Sequence, residues 1–195
     1  MSRLLIATTN RGKQQEFRRL LANLESDLVT PQEVGLDLEV DEPHDTYAEN
    51  AAAKADAYAR ASGLISLADD SGIEIAALAW GPGVRSARWG GGRNAERVLE
   101  ALGTEPDRRA RMVCAVAVAR PADPEPEIEI FTGIVDGSVA DAMRGQGGFG
   151  YDPIFQLPSG MTTAELPDAE KDRLSHRGRA VAAALPRLRE LLGAH

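Results

Sequence analysis

Apolar residues along this chain fall into short runs separated by polar turns, and the spacing inside each run changes from one stretch to the next. Residues 3–7, RLLIA, form a strand-like run that stops at Thr8, Thr9 and Asn10. Beyond Gly12 the spacing becomes helical, with Phe17, Leu20, Leu21 and Leu24 on one stripe. A strand, a turn and a helix in that order predict an α/β opening.

Residues 27–30 read as a second strand, and residues 31–45 as an acidic, mobile-looking stretch. Residues 46–62, TYAENAAAKADAYARAS, predict a helix closed by Gly63, and its many alanines leave room for another backbone or a ligand to come close. Residues 64–68 and 73–75 read as two short strands on either side of Asp69, Asp70, Ser71 and Gly72. A glycine-rich loop over 81–94 leads into a helix over 95–102. Residues 111–119 and 127–135 predict two strands joined by a turn carrying Pro121, Pro124 and Pro126. A second glycine-rich loop covers 145–155, and the chain beyond Ala164 is mostly helical, with Val181, Leu185, Leu188, Leu191 and Leu192 on one stripe. There is no internal repeat and no low-complexity linker, so residues 1–195 read as a single mixed α/β domain.

Composition narrows the possible partners. A net charge of -8 with no basic run argues against binding a nucleic-acid polymer, and an aromatic share of 5% leaves little for a base-stacking surface. A small anionic ligand remains open, because a few cations or a metal can meet its charge locally. The lone Cys114 lies in an apolar run and reads as a small buried hydrophobe. The N-terminus carries no leader pattern, and no apolar run approaches the ~20 residues of a membrane span, which points to the cytoplasm.

Five stretches could carry chemistry. Thr8, Thr9, Asn10, Arg11, Gly12 and Lys13 place backbone N–H groups, a glycine and a lysine at a helix start, a phosphate pocket or an ordinary capped turn. Asn50 and Lys54 are four apart, so they share a helix face. Asp69 and Asp70 follow an apolar run, which suits delivery of carboxylates to a site; carboxylate oxygens also suit Mg²⁺, and Glu39, Asp41 or Glu42 offer another. In GGFGYDP, Phe149 or Tyr151 could stack on a base beside Gly150 and Asp152. EKDRLSHRG gathers Lys171, His176 and Arg177 near a helix boundary. Each of these, alone, also reads as a cap, a turn or a solvated face.

Their order along the chain is the stronger signal. TTNRGKQQEF, TYAENAAAKA, ADDSGIEIAAL with GPGVRSARW, GGFGYDPIF and AELPDAEKDRLSHRGRA together resemble the Ham1-like inosine triphosphate pyrophosphatases over nearly the whole chain. The resemblance implies a homodimeric α/β enzyme with a long central mixed sheet flanked by helices, two lobes and an active-site cleft between them. It implies Mg²⁺-dependent hydrolysis of ITP, dITP and XTP to the monophosphate and pyrophosphate, which clears the nucleotide pool of bases unfit for DNA and RNA. Carried over by position, Asp70 is the proton acceptor and a metal ligand. Glu42 is the second metal carboxylate, with Asp41 the fallback. Thr8 to Lys13 bind phosphate, Ser71 contacts substrate, and Phe149 to Asp152, Lys171, His176 and Arg177 match the remaining substrate-binding segments. Asn50 and Lys54 are expected to face the same substrate.

Arg177 offers only donors, which suits a 6-oxo purine and opposes the 6-amino group of adenine. The rival readings are a Maf-type nucleotide pyrophosphatase, a nucleotide-binding regulator without hydrolysis, and a structural α/β interaction protein. SHRG opposes the first, the intact set Asp69, Asp70, Lys171 and Arg177 the second, and the ordered run of five segments the third.

Overall fold

The computed structural model describes residues 2–193. Its elements follow in the order β1 Arg3–Ile6, α1 Arg11–Leu20, β2 Asp27–Val29, α2 Tyr47–Ser62, β3 Ile65–Ile75, β4 Gly81–Pro82, α3 Ser86–Trp89, α4 Asn94–Leu102, β5 Arg109–Arg120, β6 Glu127–Val139, β7 Phe155–Gln156, α5 Asp168–Leu174 and α6 His176–Leu192. The strand order is β2-β1-β3-β5-β6-β7, with β4 paired to β3 off that path. β1 runs parallel to both β2 and β3, placing Leu5 opposite Val29 and Ser66, whereas β3–β4 and β6–β7 are antiparallel. The sheet is therefore mixed, as expected. Among the described residues no helix is long and apolar enough to cross a membrane.

Local chemistry explains the element ends. Asn10 caps α1, its side chain accepting from the Lys13 N–H at 3.1 Å. Thr46 caps α2 in the same way through the Glu49 N–H, and Gly63 closes that helix at φ 67°, a left-handed conformation that costs glycine little.

Three expectations need correction. The two short strands flanking Asp69 and Asp70 are one strand, β3, buried at Asp69 and Asp70 as well as at Leu67, Ala68, Ile73 and Ile75. The carboxylates do not force a turn because both find partners inside the fold, described below. The glycine-rich loop over 81–94 contains β4, a 3-10 turn and α3. Residues 34–42 are not loose: Val34, Leu36, Leu38 and Val40 pack on a core cluster while Gly35, Asp37, Glu39 and Asp41 stay exposed. This is strand-like alternation in a segment with no assigned strand.

The chain divides into two compact units, Met1–Asp70 with Ala115–Thr132 and Arg179–His195, and Ser71–Cys114 with Gly133–Gly178. The first has an alanine-rich core: Ala51, Ala55 and Ala59 of α2 recur every helical turn, and Ala115, Ala117 and Ala119 lie on one face of β5. Small side chains on both elements let a helix backbone approach a strand closely. The second packs larger groups, among them Ile73, Ile75, Val98, Leu102, Met112, Val135 and Phe155. β5 is buried without interruption from Met112 to Ala119, so both its faces are covered, which is why its sequence is a continuous apolar run.

Candidate active site

In the first unit, β1, α1, α2 and β3 bring together most of the residues expected there. The backbone between β1 and α1 is shaped by short bonds: the Asn10 N–H donates to Thr8 Oγ1 at 3.3 Å, and Gln14 Nε2 donates to the Thr8 carbonyl at 2.8 Å. Thr9 and Arg11 are exposed and Gly12 and Lys13 half-buried. The start of α1 thus presents N–H groups that lack helical partners beside a lysine, a suitable anion seat.

Lys13 Nζ lies 3.0 Å from Asp69 Oδ1, a carboxylate fully removed from water. Lys54 Nζ donates to Glu42 Oε1 and to the Asp69 carbonyl. Asn50, 1% exposed, accepts from the His44 N–H at 3.0 Å and donates to the His44 carbonyl at 3.2 Å and to Asp70 Oδ2 at 3.0 Å. Its amide oxygen and nitrogen are therefore both engaged by the protein.

Asp70 sits among these groups. Burial pushes its carboxyl above the usual range; the Lys54 charge and the Asn50 hydrogen bond pull it down, Glu42 pushes it up and Lys13 pulls it down. Burial wins, so this carboxylate is held where a proton is more welcome than in water. Glu42, not Asp41, is the acid directed inward, since Asp41 is exposed and Glu42 half-buried against Lys54.

Mg²⁺ fits this donor set. Glu42 and Asp70 are hard oxygen donors that repel one another, and each is anchored by a nitrogen donor, Lys54 or Asn50. Among the described residues no cluster of three or more His, Cys, Asp or Glu forms a metal cage. Mg²⁺ does not require one, because it usually takes one or two carboxylates and completes its shell with water and substrate phosphate.

The second unit carries the other group. Lys171 and Asp152 form a buried ion pair at 2.6 Å. The same Asp152 Oδ2 accepts from the Phe149 N–H at 2.7 Å, and Asp152 Oδ1 accepts from Thr163 Oγ1 at 2.8 Å. Lys171 Nζ lies 5.4 Å and the Arg177 guanidinium 5.6 Å from the centre of the Phe149 ring. Arg177 also donates to Ser71 Oγ at 2.9 Å, and it is buried beside His176 at the start of α6. Gly178 follows because a side chain there would meet the Asp172 carbonyl at 1.7 Å.

Tyr151 turns out differently from Phe149. It is buried, its hydroxyl donates to the Ser86 carbonyl at 2.8 Å, and burial pushes its pKa up to about 12. Of the two aromatics proposed to stack on a base, only Phe149 is partly exposed; Gly150 beside it is exposed. Thr163, which orients Asp152, gave no sequence signal of its own, whereas its neighbour Thr162 forms a capping box with Glu165 that the T-x-x-E spacing announces.

The Ham1 family profile matches residues 4–187. The chain belongs to the Ham1 family. It is 46% identical to the dITP/XTP pyrophosphatase of Symbiobacterium thermophilum, the match covering 97% of this chain and 96% of that one. It is 41% identical to the Listeria monocytogenes dITP/XTP pyrophosphatase over 93% of this chain and 92% of the relative. A Ham1 protein structure from Coxiella burnetii superposes with a TM-score of 0.85 at 38% identity, covering 97% of this chain and 100% of that one. That agreement, with the mixed sheet, bears out the expected α/β architecture.

Proposed function

We propose that this Ham1-family chain hydrolyses non-standard purine nucleoside triphosphates, ITP, dITP and XTP, to the monophosphate and pyrophosphate. The names of its full-length relatives support the reaction. The observation that carries it is Asp70, a buried carboxyl with a raised affinity for protons, set among Lys13, Lys54 and Glu42.

Asp70 orients a water and takes its proton as the oxygen bonds to the α-phosphorus. The bond from the α-phosphorus to the bridging oxygen breaks, and pyrophosphate leaves with its electrons. Glu42 and Asp70 would hold Mg²⁺, which would supply neutralisation of phosphate charge and polarisation of a phosphoryl oxygen. Lys13 and the N–H groups at the start of α1 receive phosphate oxygens. Lys171, paired with Asp152 beside the Phe149 ring, and Arg177 serve the base. Arg177 presents donors to the purine 6-oxygen, and adenine would leave donor facing donor. The active species in this proposal is a homodimer.

Purified protein with Mg²⁺ and a panel of ITP, dITP, XTP, GTP, ATP and dTTP tests the reading, with the phosphorus products identified. Pyrophosphate release with preference for ITP, dITP and XTP is expected. Orthophosphate release, or equal use of ATP and GTP, overturns it.

A further inference from the structure

Two residues one helical turn apart on α2 each bridge the same two strands of chain. Lys54 joins Glu42 to the Asp69 carbonyl. Asn50 joins both backbone groups of His44 to the Asp70 carboxylate. Asn50 and Lys54 thus form two rungs between the segment that carries Glu42 and the strand that carries Asp70.

The Asn50 rung is specific in its chemistry. A primary amide has one acceptor oxygen and a nitrogen with two hydrogens. Here the oxygen takes the His44 N–H, and the nitrogen gives one hydrogen to the His44 carbonyl and one to Asp70 Oδ2. The reversed amide would set donor against donor at His44 and oxygen against oxygen at Asp70, so the network admits one orientation. No other side chain of that size closes both bonds to a peptide and still donates to a carboxylate. The rung is also rigidly mounted: Asn50 stands in the first turn of α2, which Thr46 caps.

We propose that Asn50 is a positioning residue, which clamps the Glu42-bearing segment to Asp70 and so sets the two metal carboxylates before the cation arrives. The proposal rests on Glu42 and Asp70 as the Mg²⁺ ligands. A segment free to move would have to be ordered at each binding event, and the cost would appear as lost metal affinity. Once metal and nucleotide are both saturating, that cost is met and turnover returns. A residue that touched substrate would instead raise KM at any metal concentration.

The test compares wild type with Asn50→Ala and Asp70→Asn. Mn²⁺, followed by its electron paramagnetic resonance signal, serves as the metal probe without nucleotide. Asn50→Ala is expected to weaken Mn²⁺ binding by about 10–100-fold, the usual effect of removing a partner of a metal ligand. Amide exchange in peptides covering residues 39–46 should quicken by roughly tenfold or more, because the His44 N–H loses its buried acceptor. Should Asn50→Ala fail to fold, Asn50→Ser, whose hydroxyl cannot span His44 and Asp70 together, is read in its place. If Asp70→Asn loses Mn²⁺ while the Asn50 variant binds it like wild type, the clamp is wrong and the metal site stands. If Asp70→Asn binds Mn²⁺ like wild type, the metal assignment fails and the clamp with it.

Discussion

Asp152 and Lys171 face one another at 2.6 Å with both side chains almost wholly withdrawn from water. A buried ion pair adds little net stability, but removing one partner strands the other charge, at a cost of about 3–5 kcal/mol. Asp152→Ala and Lys171→Met should each lower the unfolding free energy by that order, read from a urea midpoint shifted down by that loss divided by the m-value. The double variant should lose less than the sum, because neither charge is left alone. Additive losses would mean that the pair is not coupled in solution.

Gly148 protects that pair from one side. Its φ is +68°, and a Cβ there would stand 2.1 Å from Asp152 Oδ2 and 2.6 Å from Lys171 Nζ. Gly150 is a matched control, since its φ is +64° and nothing lies within 4 Å of its would-be Cβ. Gly150→Ala meets only the left-handed backbone penalty, roughly 1–2 kcal/mol. Gly148→Ala meets that penalty and also displaces the pair, so it should unfold at lower urea and raise KM for ITP. Equal urea midpoints for the two variants would contradict the close approach.

Asp70 should trade stability for reactivity. A carboxyl whose pKa rises on folding favours the folded state while protonated, and that advantage disappears as pH climbs through the folded value. At neutral pH the ionised Asp70 therefore costs the metal-free protein stability. Asp70→Asn, which keeps an oxygen for the Asn50 amide, should raise Tm at neutral pH in chelator, and the difference should close as the pH falls below the Asp70 pKa. The same variant should lose about 10²–10⁴-fold in kcat. Thermal scans in chelator across pH, beside single-turnover kinetics with Mg²⁺, check both halves.

How much of this was legible in the sequence depended on whether a residue's role was local. The helix end at Gly63 follows from residue type next to a periodic run and appears where the pattern places it, and the polar residues Asn10 and Thr46 at the starts of the helical runs act as caps. The break expected at Asp69 and Asp70 does not appear, because polarity alone predicts an exit to water. The partners that keep the strand inside, Lys13 and Asn50, are 56 and 20 residues away in sequence from Asp69 and Asp70. Thr163 acts through Asp152, 11 residues distant, and leaves no local trace. The alternation over residues 34–42 was different: it was legible, and an acidic composition hid it.

That alternation separates Glu42 from Asp41 by the side of the segment each takes. Val34, Leu36, Leu38 and Val40 turn inward and Asp37, Glu39 and Asp41 outward, so the next inward position is 42. Glu42 indeed meets Lys54 and raises the proton affinity of Asp70, whereas Asp41 is exposed. A period of two means that neighbours on an extended segment cannot exchange roles without reversing every side chain around them. With Glu42 as a proposed Mg²⁺ ligand, Glu42→Gln should raise the Mg²⁺ concentration for half-maximal turnover by about tenfold or more. Asp41→Asn, an exposed change on the outward phase, should leave it within about twofold and shift stability by no more than ~0.5 kcal/mol. Mg²⁺ titrations of ITP turnover on the two variants settle the point; the reverse ranking would place Asp41 at the metal and refute the inward phase of residue 42.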